Sequence, residues 1–217
     1  RHAQAVCAFF VQAAELRFGE GGRATLAQYQ AATSADVDNA RAALDWAEQA
    51  GDWPTAIRLA GAAAQCFMQL GLTVEIGHRL QSLSAHVDDS IPPTHAAQFW
   101  GMLKSAGPWI GMTTADMTVC AQRDVDMSRR SGSKHRLQNA LYMLGMAFAG
   151  EGRFDDAQPV LDVMKALARP GDPPRLRSQY LHLRHILPRQ QGRFDEALLA
   201  LKEEQSWLEG LPEGKLG

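Results

Sequence analysis

An internal repeat marked by glycines constrains the fold of this chain more than any other feature. Residues 152–157 read Gly-Arg-Phe-Asp-Asp-Ala, and residues 192–197 read Gly-Arg-Phe-Asp-Glu-Ala. Gly111 lies 41 residues before Gly152, and Gly71 lies 40 residues before Gly111. Four turns therefore share a period of about 40, as in proteins built from repeated supersecondary units.

Each of these glycines lies between two stretches with helical apolar spacing. Ile76, Leu80 and Leu83 follow one turn, and the apolar segment 139–149 precedes another. A glycine after a helix supplies the left-handed residue that ends it, and an aspartate just beyond can cap the next helix. The pattern predicts antiparallel helix hairpins, each of which must bury one face against its neighbour.

The map that follows is all-α, because no sustained two-residue alternation indicates a strand. Runs rich in proline, glycine and serine at 91–93, 131–133 and 170–174 separate the hairpins. We expect a right-handed superhelical stack of hairpins, a tetratricopeptide-like α-solenoid. Its helices should run at roughly 1–18, 24–32, 35–50, 54–70, 73–87, 94–110, 114–131, 134–150, 154–169, 174–190 and 194–209.

Length and composition agree with a repeat array. The 217 residues exceed one ordinary core, and 46% hydrophobic residues with only 7% aromatics suit closely packed helices. We expect a single repeat domain over 1–217, with N-terminal helices at 1–50, divergent repeats at 51–131 and clearer repeats at 132–217. Because the chain begins at Arg1 and stops after the loop-like run 210–217, we interpret it as a fragment of a larger protein.

Charge and cysteine usage bound the function. A formal net charge of -2 gives no basic field for direct nucleic-acid binding. Neither a membrane span of about 18 apolar residues nor a signal peptide is visible. Cys7, Cys66 and Cys120 lie far apart, which favours buried, reduced thiols over a metal or redox motif. These features predict a cytoplasmic protein without a cofactor.

Residues 138–171 resemble a tetratricopeptide repeat. Apolar positions and one small residue lie in the first helix, followed by a glycine-aromatic turn and an alanine. These positions are Leu141, Leu144, Gly145, Phe148, Gly152, Phe154 and Ala157, with Gly192, Phe194 and Ala197 repeated later and Gly71 and Gly111 marking earlier turns. The resemblance implies that Gly145 lets the second helix of its hairpin approach closely and that Phe154 fills the seam between the paired helices.

A second resemblance rests on the run 38–47, Asp-Asn-Ala-Arg-Ala-Ala-Leu-Asp-Trp-Ala, followed by Gly51 and Asp52. This run is similar to the helical region of large bacterial transcriptional regulators of the signal-transduction ATPase type. The resemblance implies a regulatory sensor array that binds a small-molecule inducer or a protein. ATPase and DNA-binding domains would lie elsewhere in the full-length protein, since no phosphate-binding Gly-x-x-x-x-Gly-Lys-Ser/Thr loop occurs here.

Two places are candidate binding surfaces. Arg175, His182 and Arg189 are seven residues apart on one predicted helix and form a basic strip, with Arg177 and Arg184 as a second strip. The hypothesis is that they bind an acidic peptide or an anionic ligand; the alternative is a solvated helix face.

The second candidate surface is an aromatic group that includes Trp100 and Trp109, which a small apolar molecule could occupy unless these rings are core residues.

Catalytic chemistry has weak support. His182 and His185 are three residues apart, but no acidic residue or cysteine lies nearby in sequence to complete a metal site. The acidic pairs at 155–156 and 195–196 are expected to cap helices and complement their dipoles. The sequence therefore predicts a non-catalytic regulatory sensor that binds a protein, a peptide or a small inducer. A peptide-binding scaffold is the alternative, an all-helical metal enzyme comes last, and end stacking of hairpins could give a homodimer.

Overall fold

The computed structural model describes residues 1–18, 24–169, 172 and 174–210, and within these residues it contains helices and turns but no strand. Parts of two expected loops, 170–174 and 210–217, lie outside the described residues. The all-α prediction is confirmed. The α-helices are α1 (His2–Phe18), α2 (Leu26–Thr33), α3 (Val37–Gln49), α4 (Trp53–Gln69), α5 (Thr73–Leu83), α6 (Pro93–Ala106), α7 (Thr114–Ser131), α8 (Lys134–Gly150), α9 (Phe154–Leu167), α10 (Pro174–Gln190) and α11 (Phe194–Glu209).

The repeat-marking glycines all adopt the left-handed backbone conformation. The φ angles of Gly71, Gly111, Gly152 and Gly192 lie between +72° and +78°. An L-residue with a Cβ adopts this region only at a cost, so glycine ends the preceding helix and reverses the chain. The period of 40 found in the sequence is therefore the period of the hairpin turns.

The chain forms two compact units, an N-terminal unit (Arg1–Ser133) and a C-terminal unit (Lys134–Gly217). In the N-terminal unit, α4 packs against α1, α3, α5 and α6. Its run of small residues makes this possible: a Cβ on Gly61 would lie only 3.2 Å from the backbone N and Cα of Phe99 on α6. A helix surrounded on several sides needs apolar or small residues around most of its circumference, which α4 supplies.

The three cysteines are all in the N-terminal unit, where they are free and buried. Burial raises the pKa of each thiol, and it raises that of Cys120 to about 11. A thiol that stays protonated at neutral pH is a poor nucleophile. These cysteines therefore behave as small apolar core residues, as the sequence predicted.

Helix capping differs from the expectation. The Asp52 carboxylate accepts a hydrogen bond from the backbone N–H of Thr55 and caps α4. By contrast, α9 and α11 begin after Arg153 and Arg193, and neither has a side-chain cap. The expected capping by the acidic pairs at 155–156 and 195–196 is wrong, because these residues lie inside the first turn. There they are near the positive end of the helix dipole, and Asp156 pairs with Arg153 at 2.8 Å.

In the C-terminal unit, hairpin α8–α9 packs against hairpin α10–α11 through contacts of α10 with both α8 and α9. A Cβ on Gly145 would lie 2.4 Å from Leu183 Cδ2. Gly145 is thus a point of close approach, but the approaching helix is α10 of the next hairpin. The expectation that it would be α9 is corrected, because the small residue faces the neighbouring hairpin.

Repeat positions with the same sequence do not have the same burial. Leu141, Leu144, Phe148, Ala157 and Ala197 are buried. The two turn aromatics differ, since Phe154 is half-buried and Phe194 is 68% exposed. Helix α9 is covered by α10, whereas no further helix follows α11 within the described residues. Phe194, at the repeat position that corresponds to Phe154, is therefore largely exposed, whereas the seam filling expected of the half-buried Phe154 stays a prediction.

Candidate binding site

Corresponding positions of α8 and α10 face each other in the C-terminal unit. The side-chain amide of Gln179 donates to Asn139 Oδ1 at 2.8 Å, and Tyr142 Oη lies 3.0 Å from His182 Nδ1. Both pairs are separated by 40 residues in the sequence. The repeat period therefore becomes a line of polar contacts between two helices that run in the same direction.

The basic residues of α10 have different surroundings. Arg184 forms an ion pair with Glu203 of α11. The guanidinium of Arg177 lies over the Trp207 ring, 5.5 Å from its centroid. Arg175 and Arg189 are exposed. The second predicted strip is thus divided, since one of its two cations is already paired and the other rests on an aromatic ring.

The two histidines of α10 are held by other side chains. His182 lies against Tyr142, and His185 Nδ1 is 2.8 Å from Glu204 Oε2. Burial, together with the nearby His185 and Arg189, lowers the pKa of His182, while Glu204 opposes this shift. Burial also raises the pKa of Tyr142. At neutral pH this favours a neutral imidazole, whose Nδ1 can accept a hydrogen bond from the Tyr142 hydroxyl.

The arrangement offers little to a metal. Among the described residues, no group of three or more histidine, cysteine, aspartate or glutamate side chains is placed to hold a metal ion. His182 and His185, whose spacing was only weak support for a metal site, have Tyr142 and Glu204 as their partners. Their function in this structure is to join α10 to α8 and α11.

A cavity of about 420 Å³ opens beside these contacts, at the ends of the four helices of the C-terminal unit. Its walls combine apolar surface with charged groups. The lining residues are Gln138, Ala168, Arg169, Asp172, Pro174, Arg177, Tyr180, Leu181, Glu203 and Trp207. Cavities of this size, mainly apolar with a few polar groups, are the usual form of ligand sites.

Most charges in the cavity wall are already balanced. Asp172 accepts hydrogen bonds from Lys134 Nζ at 2.6 and 2.9 Å, and Glu203 pairs with Arg184. Arg169 donates to the carbonyl oxygens of Ala166 and Ala168. Within the described residues, Arg177 has no recorded carboxylate partner, and its guanidinium lies over the Trp207 ring. Arg177 is therefore a cation of the cavity wall that an incoming anion would meet, together with Arg169, whose recorded guanidinium partners are neutral carbonyl oxygens.

Only part of this cavity was visible in the sequence. Arg177 belonged to a predicted basic strip, whereas Gln138, Tyr180 and Trp207 were not among the predicted binding residues. Gln138 carried a usable signal, because it lies three residues before Leu141 and seven before Gly145, on the same helix face. A polar residue in line with buried apolar positions indicates a buried polar group.

The predicted aromatic group does not form one environment. Trp100 is 4% exposed, packs edge-on against Phe99 and carries the Arg123 guanidinium 4.4 Å above its ring. Trp109 is 68% exposed and lies in the short 3-10 helix Gly107–Trp109. Trp100 is a core residue, and a small-molecule site around both rings stays a prediction.

Comparisons with known proteins support the fold. No model of a protein family and no curated protein matches the chain. Among solved structures, it is similar to a protein of Podosopora anserina described as a kinesin light chain with nearly identical TPR-like repeats. The TM-score is 0.67 with 13% sequence identity, and the alignment covers 95% of each chain. The chain therefore has the tetratricopeptide-like repeat fold.

One further feature bears on where such a fold can act. None of the described helices is long and apolar enough to cross a lipid bilayer.

Proposed function

We propose that this chain is a non-catalytic protein-binding scaffold whose C-terminal unit takes an acidic segment of a partner at Arg177. The observation that carries the proposal is the position of that guanidinium in the wall of a 420 Å³ cavity, without a carboxylate partner among the described residues. A guanidinium stacked on an aromatic ring keeps its N–H donors available around its edge. A carboxylate at the cavity mouth would accept from them.

Exposed cations nearby extend the same surface. Arg175 and Arg189 are on α10, near its first and last turns, and both are exposed. An acidic segment lying along α10 would gain from the field of both, although exposed charges contribute mainly to the rate of association. Arg184 adds less in this account because Glu203 already neutralises it.

A finer proposal concerns the biological setting. The run 38–47 is similar to the helical region of bacterial transcriptional regulators of the signal-transduction ATPase type, as noted above. On that basis the chain would be a single repeat domain of a longer cytoplasmic regulator. It would sense a partner or a small inducer and transmit its binding to an ATPase and a DNA-binding domain elsewhere in that protein.

Self-association is a separate proposal. Helix α11 exposes Phe194, Leu198, Leu199 and Leu201, with relative exposures of 46% to 69%. An exposed apolar face at the last described hairpin suits stacking against another hairpin. Sedimentation at increasing protein concentration would test for a dimer, and the double variant Leu198→Glu with Leu201→Glu should remove it. A monomer at all concentrations would end this idea.

Binding of a labelled peptide of alternating glutamate and alanine tests the main proposal. Its affinity should fall about tenfold in Arg177→Glu and should weaken with salt. The analogue with glutamine in place of glutamate controls for charge. Arg129→Glu, an exposed arginine of the N-terminal unit paired only with Asp126, controls for net charge of the protein.

The double variant Arg175→Glu with Arg189→Glu separates the two predicted strips. A larger loss in the double variant than in Arg177→Glu would move the binding surface out of the cavity and onto exposed α10. Equal binding by all variants would remove the proposal.

A further inference from the structure

The side chain of Gln138 is buried without any hydrogen bond. It is on α8 with 0% exposure, and among the described residues neither Nε2 nor Oε1 has a hydrogen-bond partner. A side-chain amide carries two N–H donors and an acceptor oxygen with two lone pairs. Buried polar atoms are nearly always paired, and an unpaired one costs free energy that the fold must offset. An unpaired amide in a native core therefore calls for an explanation.

Gln138 forms part of the wall of the 420 Å³ cavity. Its side chain has 0% exposure. Its amide atoms are sealed from solvent, so water does not satisfy them. Among the charged lining residues, Asp172, Arg169 and Glu203 are engaged with neighbours, and Arg177 lies over its ring. The Gln138 amide is thus a buried hydrogen-bonding group of the wall that has no partner among the described residues.

The rest of the wall suits a flat, uncharged body. Tyr180, Leu181, Pro174 and Trp207 present aromatic and aliphatic surface to the cavity. A volume of 420 Å³ corresponds to the liquid volume of roughly 14 water molecules. This is ample for one aromatic ring with a small polar substituent.

We propose that this cavity is a binding site for a neutral carboxamide group, with Gln138 as the residue that recognises it. A carboxamide presents an N–H donor and a carbonyl acceptor side by side, so it can pair with Oε1 and Nε2 of Gln138 at once. A carboxylate offers only acceptors and would leave Oε1 without a donor. The Gln138 side chain turns from its sealed position toward the cavity when the ligand enters, and the body of the ligand packs on Trp207 and Tyr180.

This inference goes beyond the acidic-partner proposal and does not depend on it, since Arg177 and Gln138 are tested by different probes and different variants. Two sources supply such a carboxamide: a free small molecule, and an asparagine or glutamine side chain of a partner. Both sources share the chemistry that the site recognises.

Benzamide is the probe for the site, and benzoate is its charged counterpart. Calorimetric titration of the whole chain should show binding of benzamide that depends on Gln138, whereas benzoate attracted to Arg177 in the same cavity should bind equally to the wild-type chain and to Gln138→Leu. In Gln138→Leu, benzamide affinity should fall at least about tenfold while the thermal midpoint of the free protein rises by a few degrees. The rise follows because leucine removes the unpaired amide and keeps a similar volume. Gln138→Met serves the same purpose if leucine does not fit, and Gln190→Leu at an exposed position is the matched control.

The outcomes separate cleanly. Absence of benzamide binding to the wild-type chain overturns the proposal, and so does an equal loss of benzamide and benzoate affinity in Gln138→Leu. A Gln138 variant that is less stable and binds benzamide unchanged also overturns it.

If the peptide of alternating glutamine and alanine competes with benzamide, the carboxamide comes from a partner segment. If benzamide binds and the peptide does not compete, the site is one for a small molecule. Either result of this competition supports the site, and both are judged against Gln138→Leu, because Arg177 lines the same cavity and its substitution would alter the packing on Trp207.

Discussion

The N-terminal and C-terminal units are both made of helix hairpins, but their interiors differ. In the N-terminal unit, Phe10, Phe67 and Phe99 are fully buried around an alanine-rich α4. In the C-terminal unit, the seam between α8 and α10 contains amides, a tyrosine–histidine pair and the cavity beside Gln138. The half with the clearer sequence repeat therefore carries this polar seam and its cavity, although the N-terminal unit also buries polar side chains, namely Thr33, Thr55, Thr118, Asp124 and Ser128.

This difference shows that regularity of the sequence repeat and density of packing are separate properties of a helix-hairpin unit. A regular repeat specifies hairpin turns and the direction of each helix, which needs only a few glycines and apolar positions. Dense packing needs complementary shapes along the whole helix. A unit can follow the repeat closely and still keep a cavity, and places where packing is incomplete are where a ligand can enter.

The largest expected effect comes from crowding the point of close approach in each unit. Gly61→Leu should cost about 3 kcal/mol of unfolding free energy or more, because the nearest atoms belong to the Phe99 backbone and cannot turn aside. Gly145→Leu should cost about 1 to 3 kcal/mol, because the Leu183 side chain can rotate. Chemical denaturation can follow the units separately: reaction of the three cysteines with a thiol reagent reports on the N-terminal unit, and amide hydrogen exchange of α8 and α10 reports on the C-terminal unit.

A greater loss for Gly145→Leu than for Gly61→Leu would contradict the view that the N-terminal unit is the tighter one. Alanine at the same two positions provides the milder comparison, since its single methyl group also adds helix propensity.

A smaller effect is expected at the helix starts. Asp52→Ala should cost about 1 kcal/mol, because it removes the cap that accepts from the Thr55 N–H. Asp155→Ala is the matched change in the C-terminal unit, where the carboxylate lies in the first turn of α9 without capping it, and it should cost only about 0.3 to 0.5 kcal/mol. Urea titrations of both variants measure the difference. Equal losses would mean that the dipole contribution, rather than the capping bond, dominates at both helices.

Much of the fold could be predicted from the sequence because its determinants are local. A glycine with positive φ, such as Gly152, and the apolar spacing after it act within one hairpin. The helix that packs against Gly145 could not be predicted in this way. The approaching residue, Leu183, is 38 positions away and belongs to the next hairpin, so no local pattern identifies it.

The candidate site was predictable to a smaller extent for the same reason. Arg177 was noticed as one of several cations, but its importance depends on Trp207, which is 30 residues later on another helix. Glu203 neutralises the charge of Arg184, and this ion pair between two helices could not be predicted from the sequence either. Spacing along one helix shows which residues share a face, whereas the partners on neighbouring helices decide which of them remain available.

The smallest effect, and the most specific to the C-terminal unit, concerns pH. Burial and the neighbouring His185 and Arg189 lower the pKa of His182 below its ordinary value of 6.5, against the influence of Glu204. In the unfolded chain this histidine takes up a proton as the pH falls through about 6.5, whereas in the folded chain it stays neutral and accepts from Tyr142. The unfolded state therefore binds more protons, so stability is full above that pH and declines below it.

Urea titrations followed by amide hydrogen exchange of α8 and α10 should accordingly show a less stable C-terminal unit at about pH 5.5 than at about pH 7.5. His182→Asn keeps a hydrogen-bond acceptor near the position of Nδ1 but has no proton to gain in this range, so its stability should depend less on pH. Tyr142→Phe leaves the histidine in place and removes its hydrogen-bond donor. If His182→Asn keeps the full pH dependence of the wild-type unit, another group is responsible. The polar seam would then join the two hairpins without making their contact sensitive to protons.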